Sequence, residues 1–105
     1  MEIPEYYVHD GQLIRVIEEP EHARITMHVR LPNLAREEQL EPRLLVFEDV
    51  YGYKVVEGYM NRCPALLNFK VIGTEERWTW VRLDTNIGYR EILCSSVLLK
   101  NETVA

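Results

Sequence analysis

Polar and hydrophobic residues alternate without a break over residues 24–31. In an extended chain, successive side chains point to opposite faces, so the hydrophobic Ile25, Met27, Val29 and Leu31 share one face. This pattern predicts a β-strand with one face buried in a core and the other in contact with solvent. It indicates a β-rich protein.

The residues before this strand predict two more strands. Asp10-Gly11 separates two largely hydrophobic stretches, residues 6–9 and residues 12–17, and this dipeptide in that setting is a strong hairpin signal. Residues 18–22 are polar and contain Pro20, which is typical of a turn. The first thirty residues are therefore predicted to form a three-stranded meander.

The middle of the chain is less regular. Residues 32–42 lose the alternation, and Asn33 could cap about two turns of helix, while an acidic loop fits equally well. Residues 43–51 are nearly continuously hydrophobic and predict a central strand covered on both faces. Residues 52–64, with Gly52 and Gly58, indicate a crossover with at most one turn of helix.

Three further strands are predicted over residues 65–72, 77–84 and 89–99. The separators, residues 73–76 and 85–88, contain the Gly and Asn residues that tight turns favour. About seven short strands in 105 residues indicate an all-β protein. We expect residues 1–105 to form a single small antiparallel β-sandwich or partly open barrel, with at most one short helix.

Charge and composition narrow the partners. The chain has 17 acidic and 12 basic residues, a net charge of -5, which disfavours nucleic acid and anionic membranes and suits a basic protein. The acidic, proline-containing start does not resemble a secretory signal, and no stretch approaches the ~18 apolar residues of a membrane span. We therefore expect a cytoplasmic protein in which Cys63 and Cys94 are thiols.

No group of residues has the spacing of a catalytic or metal site. His9-Asp10 is a dipeptide of metal-dependent phosphohydrolases, but here it lies at a glycine turn, and the turn is the favoured interpretation. The histidines and cysteines lack the spacing of structural zinc ligands, and neither cysteine has an adjacent histidine. Nucleotide-binding glycine loops are missing as well. We expect no catalytic residue, no metal and no cofactor.

Aromatic residues provide the main candidate surface. Trp78, Trp80 and Arg82 alternate on one face of the strand at residues 77–84, and Tyr53 lies in the preceding crossover. Trp, Tyr and Arg dominate the energetics of protein–protein interfaces, so these four residues are the predicted binding site. Large aromatic side chains also fill the space between sheets, which favours the core for at least one tryptophan.

The chain also resembles a group of bacterial proteins. Residues 8–13, the alternating strand that follows, and residues 44–50 are similar to a pattern in short uncharacterised bacterial all-β proteins. Some of these are grouped with immunity proteins of polymorphic toxin systems. The resemblance implies a bacterial, non-catalytic protein whose task is binding.

Three functions follow from these observations. The first is an immunity-like domain that binds a protein partner without catalysis, with acidic loops for steering and exposed aromatic residues as anchors. The second is a small-molecule-binding or enzymatic barrel whose interior pocket is lined by Trp78, Arg82, Tyr89 and His28. The third is a structural subunit that self-associates through a free strand edge, which would make it a homo-oligomer.

Overall fold

The strands form two antiparallel sheets. The computed structural model describes residues 3–33, 36–58 and 62–102, except for the side chains of residues 36–38. Within these ranges there are eight strands and a single short 3-10 turn at Pro20–His22. The strands are β1 (Gln12–Glu19), β2 (Arg24–Asn33), β3 (Arg36–Glu48), β4 (Gly52–Glu57), β5 (Leu66–Glu75), β6 (Trp78–Thr85), β7 (Gly88–Cys94) and β8 (Ser96–Asn101).

The first sheet has the strand order β1-β2-β3-β8 and the second β4-β7-β6-β5. Each buries one face against the other, and the predicted antiparallel β-sandwich is confirmed. The alternating strand is β2, whose Ile25, Met27, Val29 and Leu31 are all buried in the core. Full burial of a side chain of this size contributes about 1.5–3 kcal/mol.

The chain passes between the sheets at one end of the sandwich. It does so between β3 and β4, through residues 49–51, and again between β7 and β8 at Ser95. The predicted strand at residues 89–99 is therefore two strands in different sheets. The crossings are tied together, because the Tyr51 N–H donates to the Leu93 carbonyl (2.7 Å) and the Ser95 N–H to the Glu48 carbonyl (3.1 Å).

The predicted hairpin at Asp10-Gly11 is wrong. Residues 6–9 form no strand. The turn that follows them is closed by the Gly11 N–H, which donates to the Val8 carbonyl (2.9 Å), and the chain there lies beside the start of β5. The Asp10 N–H donates to the Leu66 carbonyl (3.0 Å). Gly11 is needed for close packing, since a Cβ there would lie 2.7 Å from the Arg30 carbonyl oxygen.

Residues 32–33 and 36–42 continue the sheet, so the helix or loop predicted over residues 32–42 is wrong for these residues. Pro32 pairs with Leu40, and Pro42 pairs with Arg30. Proline cannot donate to a ladder and is tolerated where one side of a strand is free. Pro32 lies beyond the end of the β1 pairing, and Pro42 lies beyond the end of the β8 pairing. Leu34 and Ala35 are outside the described residues.

Of the crossover predicted over residues 52–64, residues 52–57 are instead a strand, and residues 59–61 lie outside the described residues. β4 forms an edge of the second sheet and pairs with β7 from Gly52–Leu93 to Glu57–Gly88. Lys54, Val55 and Val56 are all exposed, so this short edge strand has no alternating pattern for sequence reasoning to detect. The predicted turn at residues 85–88 is present, and Gly88 takes a φ of 150° that favours glycine.

Candidate functional site

The outer face of the second sheet carries three of the four predicted binding residues. On β6, Val81 and Leu83 are completely buried in the core, so Trp78, Trp80 and Arg82 point away from it. Both tryptophans are partly exposed and neither belongs to the core, which overturns the expectation that at least one does. We call the surface formed by Tyr51, Trp78, Trp80 and Arg82 the tryptophan face.

Trp78 is part of an aromatic and cationic stack. Its ring stacks on Tyr51 with centroids 4.4 Å apart and an interplanar angle of 22°, and Tyr51 is 70% exposed. The Arg77 guanidinium also lies over the Trp78 ring, 4.7 Å from its centroid, and forms an ion pair with Asp49 (3.1 Å). These contacts hold the Trp78 ring in one orientation at the surface.

Trp80 is fixed by different neighbours. Its Nε1–H donates to the Glu75 carboxylate (3.3 Å), and its ring covers Leu93, which is 3% exposed although it lies on the outer face. A Cβ at Gly52 would be 3.3 Å from the Trp80 ring, so glycine gives the ring space to lie over β4. The Trp80 ring is therefore held in one orientation, with its indole N–H bonded to Glu75 and its face over the side chain of Leu93.

Arg82 is surrounded by opposite charges and an aromatic ring. Its Nε donates to Asp84 (2.9 Å), its Nη1 lies 3.6 Å from Glu91, and its guanidinium lies 3.7 Å from the centroid of Tyr89. Lys70 also pairs with Asp84 (3.4 Å). Two basic and two acidic side chains thus balance one another on this part of the surface.

Tyr53 does not join the other three predicted residues. It pairs with the buried Ile92 in the ladder and faces the space between the sheets. There its hydroxyl accepts a hydrogen bond from Arg90 Nη1 (2.6 Å), and Arg90 binds Glu57 through Nε (3.1 Å) and Nη2 (2.7 Å). Burial raises the pKa of Tyr53 above its ordinary value, and Arg90 opposes that rise.

A groove opens beside this cluster, between edge strands β1 and β4. It has a volume of about 250 Å³. Its lining is mostly apolar and is formed by Glu18, Glu19, Pro20, Ala23, Arg24, Ile25, Val50 and Tyr53. Sequence reasoning missed the groove because β4 was not recognised as a strand. The Arg90 cluster had a detectable signal, since Arg90 alternates with the inward-facing Ile92 and Cys94.

The candidate nucleophiles and ligands do not form a reactive centre within the described residues. Cys63 is exposed, Cys94 is buried, and both thiols are free. Burial, with a smaller effect of Asp49, raises the pKa of Cys94 to about 12. The possible ligand atoms of Glu19, Glu21 and His22 lie within 4.8 Å of one another at the β1–β2 turn, so these three side chains could hold a metal ion. Sequence spacing did not indicate this group.

The residues expected to line an interior pocket lie on opposite sides of the sandwich. Trp78, Arg82 and Tyr89 are on the outer face of the second sheet, whereas His28 is on the outer face of the first. His28 Nδ1 lies 3.7 Å from Glu102. These four side chains therefore do not share a cavity. No helix among the described residues is long and apolar enough to cross a membrane.

The fold and the exposed aromatic residues define a class: a two-sheet, all-β sandwich with an aromatic outer face. Comparison with protein-family models, with curated proteins and with solved structures gives no match for this chain.

Proposed function

We propose that this chain is a cytoplasmic protein-binding domain that acts by protein–protein contact without catalysis, and that the tryptophan face is its contact surface. The stacked pair of the exposed Tyr51 and the partly exposed Trp78 is the main support for this proposal, because large aromatic side chains at the surface are a feature of interfaces. Trp80 and Arg82 extend the same surface along β6.

The rigidity of this surface favours binding. Trp78 is held by stacking on Tyr51 and by the Arg77 guanidinium over its ring. Trp80 is held by its hydrogen bond to Glu75 and by packing on Leu93. Association costs free energy when flexible side chains become ordered, and side chains that are already fixed reduce that cost. Pre-oriented aromatic anchors on a sheet are therefore suited to a stable contact.

An immunity-like role is the form of this function that the sequence resemblance implies. Such a protein would block a toxin by contact, and the net charge of -5 would speed its association with a basic partner. Cys63 and Cys94 are the candidate nucleophiles, and the state of Cys94 favours binding over catalysis at that residue. A buried Cys94 with a raised pKa is a thiol at neutral pH and a poor nucleophile.

The test is a crosslinked pull-down from lysate of the source cell, with the purified full chain as bait. The bait variants are Trp78→Ala with Trp80→Ala, and the milder Tyr51→Ala, whose side chain is 70% exposed. Ile17→Ala with Leu98→Ala is the control, because these exposed apolar residues lie on the outer face of the opposite sheet. Circular dichroism and thermal unfolding verify that each bait is folded.

We expect one protein to be captured by wild type and by the control variant, and to be lost or strongly reduced with both tryptophan-face variants. Truncation of an interface anchor typically weakens binding by more than about 2 kcal/mol, which is roughly thirtyfold. Equal capture by wild type and by the folded Tyr51 and tryptophan variants would refute the tryptophan face as the contact surface.

A further inference from the structure

The net negative charge of the chain is located at one end of the sandwich. We call residues 18–24, 48–51, 75–78 and 95 the crossover end, because both passages between the sheets lie there. This end contains seven acidic and two basic residues, and the rest of the chain contains ten of each. The formal net charge of -5 therefore equals the charge of the crossover end alone.

The groove between β1 and β4 opens at this end. Pro20, Ala23 and Val50 contribute apolar walls, while Glu18 and Glu19 belong to the same lining. Arg24, the basic residue of the lining, is already paired with Glu48 (2.9 Å) and lies 3.9 Å from Glu19. Glu18 forms no hydrogen bond or ion pair with the described part of the chain and is exposed. Its carboxylate is free to accept a cation from outside.

We infer that this groove binds a lysine or arginine side chain from a basic segment of a protein partner. The aliphatic stem packs on the apolar walls, and the cationic head meets Glu18. The surrounding negative field attracts further basic residues of the same segment. The inference deepens the proposed function and rests on it for the nature of the partner, but it uses none of Trp78, Trp80 and Arg82.

The groove fits a long side chain better than a chelated metal ion. Successive residues of a strand point to opposite faces, so Glu18 faces the space between the sheets and Glu19 faces outward. Their side chains therefore leave β1 on opposite sides, and the Glu19 carboxylate lies near Glu21 and His22 rather than Glu18. A lysine or arginine side chain needs a single carboxylate and an apolar channel, and the groove supplies both.

The probe is a fluorescein-labelled hexa-arginine peptide, with hexa-glutamate as the control peptide. Binding is measured by fluorescence anisotropy to the full chain at physiological salt, and the contact is located by amide chemical-shift changes in NMR spectra. Glu18→Gln is compared with Glu76→Gln, which removes one charge from an exposed residue of the same end that is not part of the groove. The two variants therefore change the overall field equally.

We expect Glu18→Gln to weaken peptide binding about threefold and Glu76→Gln to weaken it clearly less, with shifts concentrated at residues 18–25 and 50–53. Equal weakening by the two variants, shifts located elsewhere, or no binding would overturn the inference. Peptide binding to the Trp78→Ala, Trp80→Ala variant separates the two proposals. If this variant binds the peptide as wild type does and also captures the same protein in the pull-down, the tryptophan face is refuted and the groove remains supported.

Discussion

Cys94 shows how burial controls the chemistry of a single residue. It ends β7 with no solvent exposure, and burial is the largest cause that raises the pKa of its thiol from 9.0 to about 12. The nearby carboxylate of Asp49 raises the pKa further, because it disfavours a second negative charge. The thiol is consequently a part of the core, packed as a small apolar side chain.

This raised pKa predicts a specific loss of stability in alkali. In the unfolded chain the thiol ionises near pH 9, whereas in the folded chain it keeps its proton to about pH 12. The stabilising contribution is full below pH 9 and is lost as the pH rises toward 12. Between pH 7.5 and 10 the loss from this group is about 1.4 kcal/mol.

The measurement is urea unfolding of wild type and Cys94→Ala across that pH range, with a reducing agent present. The tyrosines and lysines titrate in both proteins, so the difference between the two free energies of unfolding isolates Cys94. We expect the advantage of wild type to shrink as the pH rises. A difference that stays constant with pH would show that the thiol has an ordinary pKa.

The candidate binding residues were only partly predictable at this scale. Trp78, Trp80 and Arg82 were placed on one face by strand alternation, which needs no knowledge of tertiary structure. Which face of β6 is buried depends on the neighbouring strands. Large aromatic residues usually fill a core, so the sequence alone predicts a buried position for at least one tryptophan, and this prediction is wrong. The sequence pattern does not identify β4 as a strand, so the inward orientation of Tyr53 cannot be derived from it.

At the scale of elements, a nearly buried ion pair attaches edge strand β4 to β7. The side chains of Arg90 and Glu57 are 14% and 12% exposed, and they are joined by two hydrogen bonds of 3.1 and 2.7 Å. Desolvation lowers the pKa of Arg90, but the hydrogen bonds and charges of Glu57 and Tyr53 together raise it above its ordinary value. Arg90 therefore stays charged.

We predict strong coupling between these two residues. Arg90→Leu leaves the Glu57 carboxylate nearly buried without its partner, which is expected to cost about 3–5 kcal/mol. The double variant Arg90→Leu, Glu57→Leu removes both charges and should regain much of that loss. Urea unfolding of wild type, both single variants and the double variant at pH 7 completes the cycle. Additive losses in the double variant would contradict the predicted coupling.

The elements also show where sequence patterns succeed and fail. β2 was predicted from a strict alternation, because one of its faces is core and the other is solvated. In β4 the neighbouring residues Val55 and Val56 are both exposed although they point to opposite faces. The hydrophobic pattern of β4 therefore does not predict which of its faces is buried. Pro32 and Pro42 look like strand breakers, but each lies where one neighbouring strand has ended.

At the scale of the whole molecule, the charge is separated along the length of the strands. The crossover end contains seven acidic and two basic residues, while the remainder of the chain is neutral in formal charge. Glu76 lies in this end, whereas Glu41 lies on β3 seven residues before the strand ends at Glu48. Like charges held close together by the fold repel one another, and the unfolded chain relieves that repulsion.

We therefore predict that salt stabilises this protein. An increase in NaCl from about 20 mM to about 300 mM shortens the screening length severalfold and should raise the Tm by about 2–4 °C.

Glu76→Gln should raise the Tm at low salt and reduce this salt dependence, because it removes one charge from the crowded end. Glu41→Gln is the matched control, since it removes the same charge far from that end. Thermal unfolding of the three proteins at both salt concentrations decides the matter. An equal effect of the two substitutions would show that total charge, rather than its concentration at the crossover end, limits stability.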